Sequence, residues 1–562
     1  MRRPVLALVI LSIGGCSRPN PSADFDKLTQ DFLYGSLAQS PVSATAAGYH
    51  LHNGVPLDEL VDDYSPGGLD QQRNFYKDFQ LRIAALDAAR LDKEQRADLD
   101  IIKNNIDLAL LELDNIQSYK HNPTVYVELA GNALYTPYML NYAPLEKRFG
   151  HIIKRLERLP ALYEQAKANL ADAPDVWNRV AREENDGNVG LIDKTLRDAV
   201  PEPQKTAYAA AADKALAAVR DFNVFLKDKL SSKTSDWRLG KERYARKFAL
   251  VLASGRTPED LLAAAESDLK TVRAEMAKLA APKIVEQALL DVARQHATPD
   301  TYLAQAREML AQATAFVKEK DLLTLPARSN LQVIETPEFM RGIYGVGGFN
   351  PAPPLEPQLG AFYWITPIPK TWPAARAESK LREYNNYGLQ ELTIHEAMPG
   401  HYVQLEYAND VLPVSRRLLR TIFANTPYVE GWAVYTQQML SDAGYLDGSK
   451  ALALTFDKQI LRVLANTILD IRLQTMGMTD QQALDLMIKE TYQEKEEATA
   501  KLQRAQLSSC QLPTYFVGWK GWLEVREHYK QRKGGSYSLK EFNERALKES
   551  GVPLPSLDAL LH

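Results

Sequence analysis

The segment from Glu391 to Gln404, ELTIHEAMPGHYVQ, contains the residues of this chain whose types and spacing are best suited to chemistry. It holds two of the nine histidines, His395 and His401, and Glu396 directly follows the first of them. Zinc hydrolases use imidazoles as metal ligands and a neighbouring carboxylate as the base that takes a proton from water. We therefore predict that His395 and His401 bind Zn²⁺ and that Glu396 is the catalytic base.

The spacing of the two histidines is unusual for a zinc helix. In the common H-E-x-x-H pattern the histidines share one helix face, whereas a spacing of six residues on an unbroken helix places them about 240° apart. Pro399 and Gly400 lie between His395 and His401, and this pair is expected to break the helix and turn the second histidine back toward the first. The alternative is that the histidines are unrelated, one capping and one packing, and the combination of His-Glu, Pro-Gly and a second His disfavours it.

A catalytic zinc ion takes three protein ligands and leaves one position for water. We predict Glu430 as the third ligand, because it follows an Asn-Thr-Pro turn at the start of a helical pattern. It lies 29 residues after His401, far enough for a second helix to return. Glu406 is the rival, but it is expected to continue the helix that carries His401. An acid near a helix N-terminus also interacts favourably with the helix dipole, and the two roles are compatible.

The elements that must position these residues are mainly helical. Apolar residues recur at spacings of three and four over residues 26–320. The clearest helical segments are Leu99–Ile116, Phe149–Leu170, Thr206–Leu230 and Pro258–Leu279. Thr257 precedes Pro258 and two acids, which is the pattern of a capped helix start.

The pattern changes near Leu322. Asn330–Thr336 and Ala361–Thr366 are rich in β-branched and aromatic residues and predict short strands. Between them, Gly342–Gly360 carries five glycines and predicts a long loop. Helical spacing returns at Ala374. We predict a mainly α fold, a large helical metallopeptidase-like body with a small β-element near the active-site helix. Its helical N-terminal region, 26–320, and its catalytic metal-binding region, 321–562, are expected to form one compact body.

The first sixteen residues differ from the rest of the chain. Two arginines precede an apolar run of roughly ten residues, which is typical of a secretory signal and too short to span a membrane. Cys16 follows two glycines, as in a bacterial lipobox. We expect residues 1–16 to be a signal peptide and lipobox with Cys16 lipidated, and residues 17–25 to be a tether. The alternative is a plain signal with an unmodified cysteine.

The composition argues against a nucleic-acid partner and against a disulfide framework. The chain has 562 residues, of which 67 are Lys or Arg and 71 are Asp or Glu, so its net charge is only −4. Without a basic excess, no nucleic-acid partner is expected. The two cysteines give no disulfide framework, and Cys510 is expected to be a packing residue.

Two segments together resemble a known family. HEAMPGHYVQ, from His395, and EGWAVY, from Glu430, are similar to the paired signatures of the bacterial family named domain of unknown function 885. The resemblance extends from about Phe25 to the C-terminus. It implies a helical, exported lipoprotein grouped with zinc metallopeptidases, acting on a peptide or protein substrate. Ser17 after the lipidated cysteine favours a lipid anchor in the outer membrane, facing the periplasm, and the oligomeric state stays open.

The chain departs from the family at two places. Where the family carries Asp-x-x-x-His on a later helix, Asp470 is followed by Gln474, and the usual Pro-Gly-Gln before a late tyrosine is replaced by QLPT before Tyr515. These departures leave the metal ligands intact and affect substrate handling. From the family likeness we expect Tyr515 to stabilise the oxyanion, with Tyr435 as the alternative, and Asp470 to hydrogen-bond a ligand imidazole.

Two other functions remain compatible with the sequence. The chain could be a non-catalytic envelope scaffold with a relic zinc site, or a metal-dependent amidase or esterase with a different pocket. Glu396 disfavours the scaffold, because a scaffold needs metal ligands but no base.

Overall fold

The structure is a computed structural model that describes residues 21–337, 340–341 and 345–562. The helices of the N-terminal part are α1 Pro21–Gln39, α2 Pro41–Ala46, α3 Pro66–Ala84, α4 Lys93–Leu111, α5 Ser118–His121, α6 Thr124–Met139, α7 Leu145–Asn169, α8 Asp175–Gly190, α9 Arg197–Ala199, α10 Lys205–Asp228, α11 Gly240–Leu252, α12 Pro258–Ala280, α13 Val285–Ala293 and α14 Tyr302–Glu319. Those of the C-terminal part are α15 Ala374–Glu383, α16 Asn386–Glu396, α17 His401–Ala408, α18 Val414–Ile422, α19 Thr426–Asp442, α20 Tyr445–Gly448, α21 Lys450–Thr475, α22 Asp480–Asp485, α23 Lys495–Leu507, α24 Thr514–Lys533, α25 Leu539–Lys548 and α26 Leu554–Leu560.

The predicted mainly α fold is confirmed. The four helical segments expected in the N-terminal region correspond to α4 with its π-helical extension, α7, α10 and α12. The start of α12 shows why the sequence pattern was informative. The Thr257 side chain accepts a hydrogen bond from the backbone N–H of Asp260, and Pro258 occupies the first turn, where it displaces no helical hydrogen bond.

Strands are few and short. β1 Leu51–His52 pairs with β2 Val55–Pro56 as an antiparallel ribbon, and a second sheet contains β3 Leu331–Glu335, β4 Gly347–Asn350 and β5 Ala361–Ile365 in the order β3-β5-β4. β3 is parallel to β5, with Val333 opposite Tyr363, and β4 is antiparallel to β5.

The two strands predicted in this region are confirmed, but the prediction of an uninterrupted loop between them is wrong, because β4 lies there. Gly347 begins β4 with φ +156°, and a Cβ at this position would lie 2.3 Å from the Trp364 carbonyl oxygen of β5. Glycine therefore permits the close approach of the two strands. The same residue type weakens the strand pattern in the sequence.

The three-stranded sheet supports the helices of the chemistry-bearing segment. The Tyr363 hydroxyl of β5 lies 3.1 Å from Oγ1 of Thr393 in α16. The Phe349 ring of β4 packs 6.1 Å from the Tyr402 ring of α17, and the Tyr402 hydroxyl donates to the Arg328 carbonyl oxygen at 2.9 Å. The sheet thus contacts both helices that carry the predicted histidine ligands.

One hydrophobic cluster joins the N-terminal helices to the helices of the C-terminal region. Phe32, Ile102, Tyr363, Trp432 and Trp522 belong to it and are fully buried. Large buried side chains of this kind each cost several kcal/mol when truncated, so the cluster stabilises both parts of the chain. The division near residue 320 stays a prediction.

In the described ranges no helix combines the length and the apolar character needed to cross a membrane. Cys16 and the predicted signal peptide lie outside the described residues.

Candidate metal centre

The segment between His395 and His401 folds back on the helix that precedes it. α16 ends one residue after His395, because Pro399 has no N–H with which to continue the helical hydrogen bonds. The Gly400 N–H donates to the Ile394 carbonyl oxygen at 3.0 Å, and α17 begins at the next residue, His401. A Cβ at position 400 would lie 1.8 Å from the His395 carbonyl oxygen, so only glycine fits. The helix break therefore occurs where the sequence predicts it.

Two imidazoles and one carboxylate converge at this turn. The rings of His395 and His401 have centroids 4.8 Å apart and an interplanar angle of 86°. The Nε2 atom of each ring lies 3.5 Å from Oε2 of Glu430. Within the part of the chain that the structure describes, these three residues form the group of possible metal ligands whose donor atoms all lie within 4.8 Å of one another. The structure thus brings together the three ligands predicted from the sequence.

Glu430 reaches the site because of how α19 packs. Gly431 and Gly518 face each other where α19 crosses α24, and a Cβ on Gly431 would lie 2.4 Å from the Gly518 Cα. Trp432 is fully buried, and its Nε1 donates to the Pro399 carbonyl oxygen at 2.9 Å. The helix that carries Glu430 is therefore hydrogen-bonded directly to the turn between the histidines.

Two of the three separations between the donor atoms match those around a tetrahedral zinc ion. Bonds of about 2.0–2.2 Å from zinc to nitrogen and oxygen place neighbouring ligand atoms roughly 3.3–3.5 Å apart. The two separations measured from Oε2 of Glu430 are both 3.5 Å. This oxygen is buried and has no hydrogen-bond partner among the described residues, which is costly unless a cation balances it. The donor types, and the two separations measured from Glu430, are therefore compatible with a zinc ion.

The charges of these side chains are coupled. Burial alone would raise the pKa of Glu430, but the facing imidazoles of His395 and His401 hold it well below its ordinary value. Burial would lower the pKa of His401, yet Glu430, and after it Glu396, raises it. The site therefore attracts positive charge, and a metal ion must compete with protons for the same atoms.

Gln437 orients His395 and was not predicted from the sequence. Its Oε1 lies 3.4 Å from Nδ1 of His395, and its Nε2 donates to the Glu391 carbonyl oxygen at 3.2 Å. An amide oxygen facing Nδ1 favours the tautomer with the proton on Nδ1, in which Nε2 is free to bind a metal. Gln437 lies two helical turns after Glu430 on α19, and this spacing is the signal by which it could have been found.

The structure gives Asp470 partners other than the expected imidazole. Its Oδ2 accepts hydrogen bonds from the Tyr244 hydroxyl at 2.6 Å and from the Cys510 N–H at 2.8 Å. Burial raises the pKa of Asp470 to about 6. Asp470 thus joins α21 to α11 and to the segment before α24, while Gln437 lies beside His395. Cys510 is itself fully buried, as expected for a packing residue.

The predicted base and the predicted oxyanion donor border the ligand set. Glu396 is the last residue of α16, is partly exposed, and is not one of the three converging donors. The Tyr515 ring stacks on the His395 ring with centroids 6.3 Å apart. Burial, and then the charge of Glu430, raises the pKa of Tyr515, so its hydroxyl stays protonated and can donate a hydrogen bond at neutral pH.

Tyr435, the alternative oxyanion donor, and Glu406, the alternative third ligand, both have partners away from the ligand set. The Tyr435 hydroxyl donates to Oδ1 of Asn543 at 3.1 Å, in the core. Glu406 is 3% exposed in its side chain and accepts a hydrogen bond from Nε of Arg328. Neither side chain belongs to the ligand set.

Comparison with known proteins gives a family and a fold. The model of the family described as "Bacterial protein of unknown function (DUF885)" matches residues 41–561. The structure is similar to that of a candidate lipoprotein of unknown function from Shewanella oneidensis, with TM-score 0.80 and 29% identity over 95% of this chain and 99% of that one. It is also similar to a candidate lipoprotein from Colwellia psychrerythraea, with TM-score 0.77 and 18% identity over 96% and 99% of the two chains, a likeness of fold alone. No curated protein matches the chain.

Proposed function

The chain belongs to the DUF885 family of bacterial proteins, and from its candidate metal centre we propose that it is a zinc-dependent hydrolase that cleaves peptides. The observation that carries the proposal is the convergence of His395, His401 and Glu430, in which Nε2 of each histidine lies 3.5 Å from Oε2 of Glu430. Three protein ligands leave a position for water, as in catalytic zinc sites. The carboxylate of Glu396 directly follows the proposed ligand His395 in the sequence. The phenol ring of Tyr515 stacks on the His395 ring.

Each residue has a role in hydrolysis that follows from its chemistry. Bound zinc would supply a water molecule ionised near neutral pH and would polarise the scissile carbonyl. Glu396 accepts a proton from the attacking water and gives it to the leaving amine. The Tyr515 hydroxyl donates to the carbonyl oxygen as negative charge develops there. Gln437 holds His395 in the orientation and tautomer that a ligand needs.

The proposal is tested by profiling a peptide library with purified, metal-analysed protein. We expect cleavage by the zinc-loaded protein, loss of cleavage after chelation, and recovery when zinc is added back. Recovery with zinc distinguishes a bound catalytic metal from irreversible unfolding by the chelator. Cleavage that persists in metal-free protein would contradict the proposal.

Adding ester and amide substrates to this experiment separates the two alternative functions. A scaffold with a relic site would bind zinc and hydrolyse no peptide, ester or amide. An amidase or esterase would share the zinc dependence and cleave only the non-peptide substrates. Both outcomes would overturn the assignment as a peptidase, and the second would retain the mechanism.

We also propose that the protein is exported and anchored through a lipid on Cys16, in the outer membrane and facing the periplasm. The signal-like N-terminus supports this, and both solved relatives are described as candidate lipoproteins. In Cys16→Ala we expect the protein to leave the membrane fraction after washes that strip peripheral proteins, because a lipid chain supplies about 0.8 kcal/mol of binding per buried CH₂. Cys510→Ala removes the other cysteine and serves as the control. Retention of Cys16→Ala in washed membranes would rule the anchor out.

A further inference from the structure

His50 lies between two carboxylates that come from different parts of the chain. Its Nδ1 lies 2.9 Å from Oδ1 of Asp58, which belongs to the short 3-10 turn Leu57–Glu59. Its Nε2 lies 3.3 Å from Oε2 of Glu356, in the connection between β4 and β5. A neutral imidazole can donate from only one ring nitrogen, whereas the imidazolium donates from both. The geometry therefore favours the charged form of His50.

The charge of His50 can change because solvent reaches its side chain. That side chain is 27% exposed, whereas the side chain of Asp58 is 4% exposed. Burial alone would lower the pKa of His50, but Asp58, and then Glu356, raise it above its ordinary value of 6.5. Burial would raise the pKa of Asp58, but the hydrogen bond with His50 holds it below its ordinary value. His50 is therefore expected to lose its proton as the pH rises above 6.5, beside a carboxylate that stays ionised.

The aromatic and basic groups around His50 keep their charge state over the range in which His50 titrates. The Tyr142 ring stacks on the His50 ring with centroids 4.4 Å apart, and burial raises the pKa of Tyr142, so its phenol stays neutral. On α7, Nδ1 of His151 lies 3.5 Å from Oδ2 of Asp58, and burial lowers the pKa of His151, so this imidazole is already neutral. Arg155, one turn further along α7, has a pKa that burial lowers to about 10, so it stays charged.

Glu356 belongs to a segment that is docked on the N-terminal part of the chain. The N–H of the preceding residue, Leu355, donates to the Ala47 carbonyl oxygen at 3.1 Å, at the end of α2. Neutral His50 can keep its proton toward the closer and more buried Asp58, and its other nitrogen then presents a lone pair to Glu356. Loss of the proton therefore removes the attraction between His50 and Glu356 and leaves the contact with Asp58.

The same segment contacts a support of the candidate metal centre. Asn330 donates from Nδ2 to the carbonyl oxygens of Pro357 and Leu359 at 3.3 and 3.2 Å. Its Oδ1 accepts a hydrogen bond from the Tyr402 hydroxyl at 3.1 Å. Tyr402 directly follows the candidate ligand His401 in α17. The docked segment is therefore separated from α17 by a single hydrogen-bonded residue.

We propose that His50 is a pH-sensitive latch, which holds the connection between β4 and β5 against the end of α2 while its imidazole is charged and releases it when the proton is lost. The attraction is present in full below pH 6.5 and is lost as the pH rises through the raised pKa of His50. Neither zinc nor hydrolysis enters this inference, so it can fail or hold independently of the proposed function.

The test measures hydrogen–deuterium exchange of residues 351–359 in the full chain at about pH 6 and about pH 9, on either side of the titration of a histidine. Rates are corrected for the intrinsic pH dependence of exchange. The Leu355 amide, which donates across the interface, is the reporter. We expect its protection to be at least about fivefold lower at the higher pH, the effect of losing one partly buried ion pair.

Two variants remove the latch, and a third serves as the control. In Glu356→Gln the protection should be low at both pH values and change less than about twofold, because the amide keeps the shape of the side chain without its charge. His50→Gln should behave in the same way. His528→Gln makes the same change at an exposed histidine of α24, which is paired with Asp558, and should keep the wild-type pH dependence.

Three results would overturn the latch. The first is protection of Leu355 that does not change with pH in the wild type, and the second is a wild-type pH dependence in Glu356→Gln. The third is a fall in protection that the buried helix α21 shares, because that result would report global unfolding. If thermal unfolding shows that His50→Gln does not fold, Glu356→Gln, which changes the more exposed of the two carboxylates, decides alone.

Discussion

Replacing Glu396 with glutamine is expected to abolish hydrolysis while leaving zinc bound at nearly full occupancy. The amide keeps the size and shape of the side chain but cannot accept the proton of the attacking water. Loss of a general base costs roughly 10²–10⁴-fold in rate. Zinc content should not change, because Glu396 ends α16 outside the three converging donors.

The Glu396 prediction is checked by measuring turnover and zinc content on the same preparation. Glu527→Gln makes the same chemical change at an exposed site on α24 and should keep wild-type turnover. Near wild-type turnover of Glu396→Gln would show that another group accepts the proton. Loss of zinc together with turnover would make Glu396 a metal ligand instead of a base.

Replacing Glu430 with alanine is expected to remove most of the bound zinc, whereas replacing Glu406 should not. Two neutral imidazoles alone hold Zn²⁺ weakly, and the carboxylate both completes the ligand set and offsets one of the two charges of the ion. Oε2 of Glu430 lies 3.5 Å from each Nε2, while Glu406 is engaged by Arg328. We expect the zinc content to fall from about one ion per chain to less than about a tenth in Glu430→Ala.

Thermal unfolding with and without zinc distinguishes the two variants further. A ligand that binds only the folded state raises the melting temperature, so zinc should stabilise the wild type and not Glu430→Ala. Glu406→Ala leaves the guanidinium of Arg328 with the exposed Asp410 as its remaining ion-pair partner, so the variant should have a lower melting temperature and still respond to zinc. Loss of the zinc response in Glu406→Ala alone would move the third ligand to Glu406.

The parts of the site that could be predicted are those encoded locally. Pro399 and Gly400 are adjacent to the histidines they reposition, so their effect on the helix follows from backbone chemistry alone. Predicting Glu430 as the third ligand required one further step, the expectation that a later helix returns to the two histidines. Its capped start at Asn425 gave that helix a recognisable beginning.

The parts that could not be predicted depend on contacts between distant segments. The hydrogen-bond partners of Asp470 are Tyr244 and Cys510. The direction in which the Asp470 carboxylate points from α21 therefore depends on how α11 packs against that helix. Gln437 has the helical spacing of a supporting residue, but glutamine is common on helices and its role becomes visible only beside His395. Strand β4 was missed because its glycines, which allow it to pair closely with β5, are poor strand formers.

The central claim, that His395, His401 and Glu430 hold a catalytic zinc ion, is tested most directly by anomalous diffraction at the zinc edge from crystals equilibrated with zinc. We predict one strong peak at about 2.0–2.2 Å from Nε2 of each histidine and from a carboxylate oxygen of Glu430, with a remaining position open to solvent. A map without a peak among these three side chains, or with zinc bound only elsewhere, would contradict it.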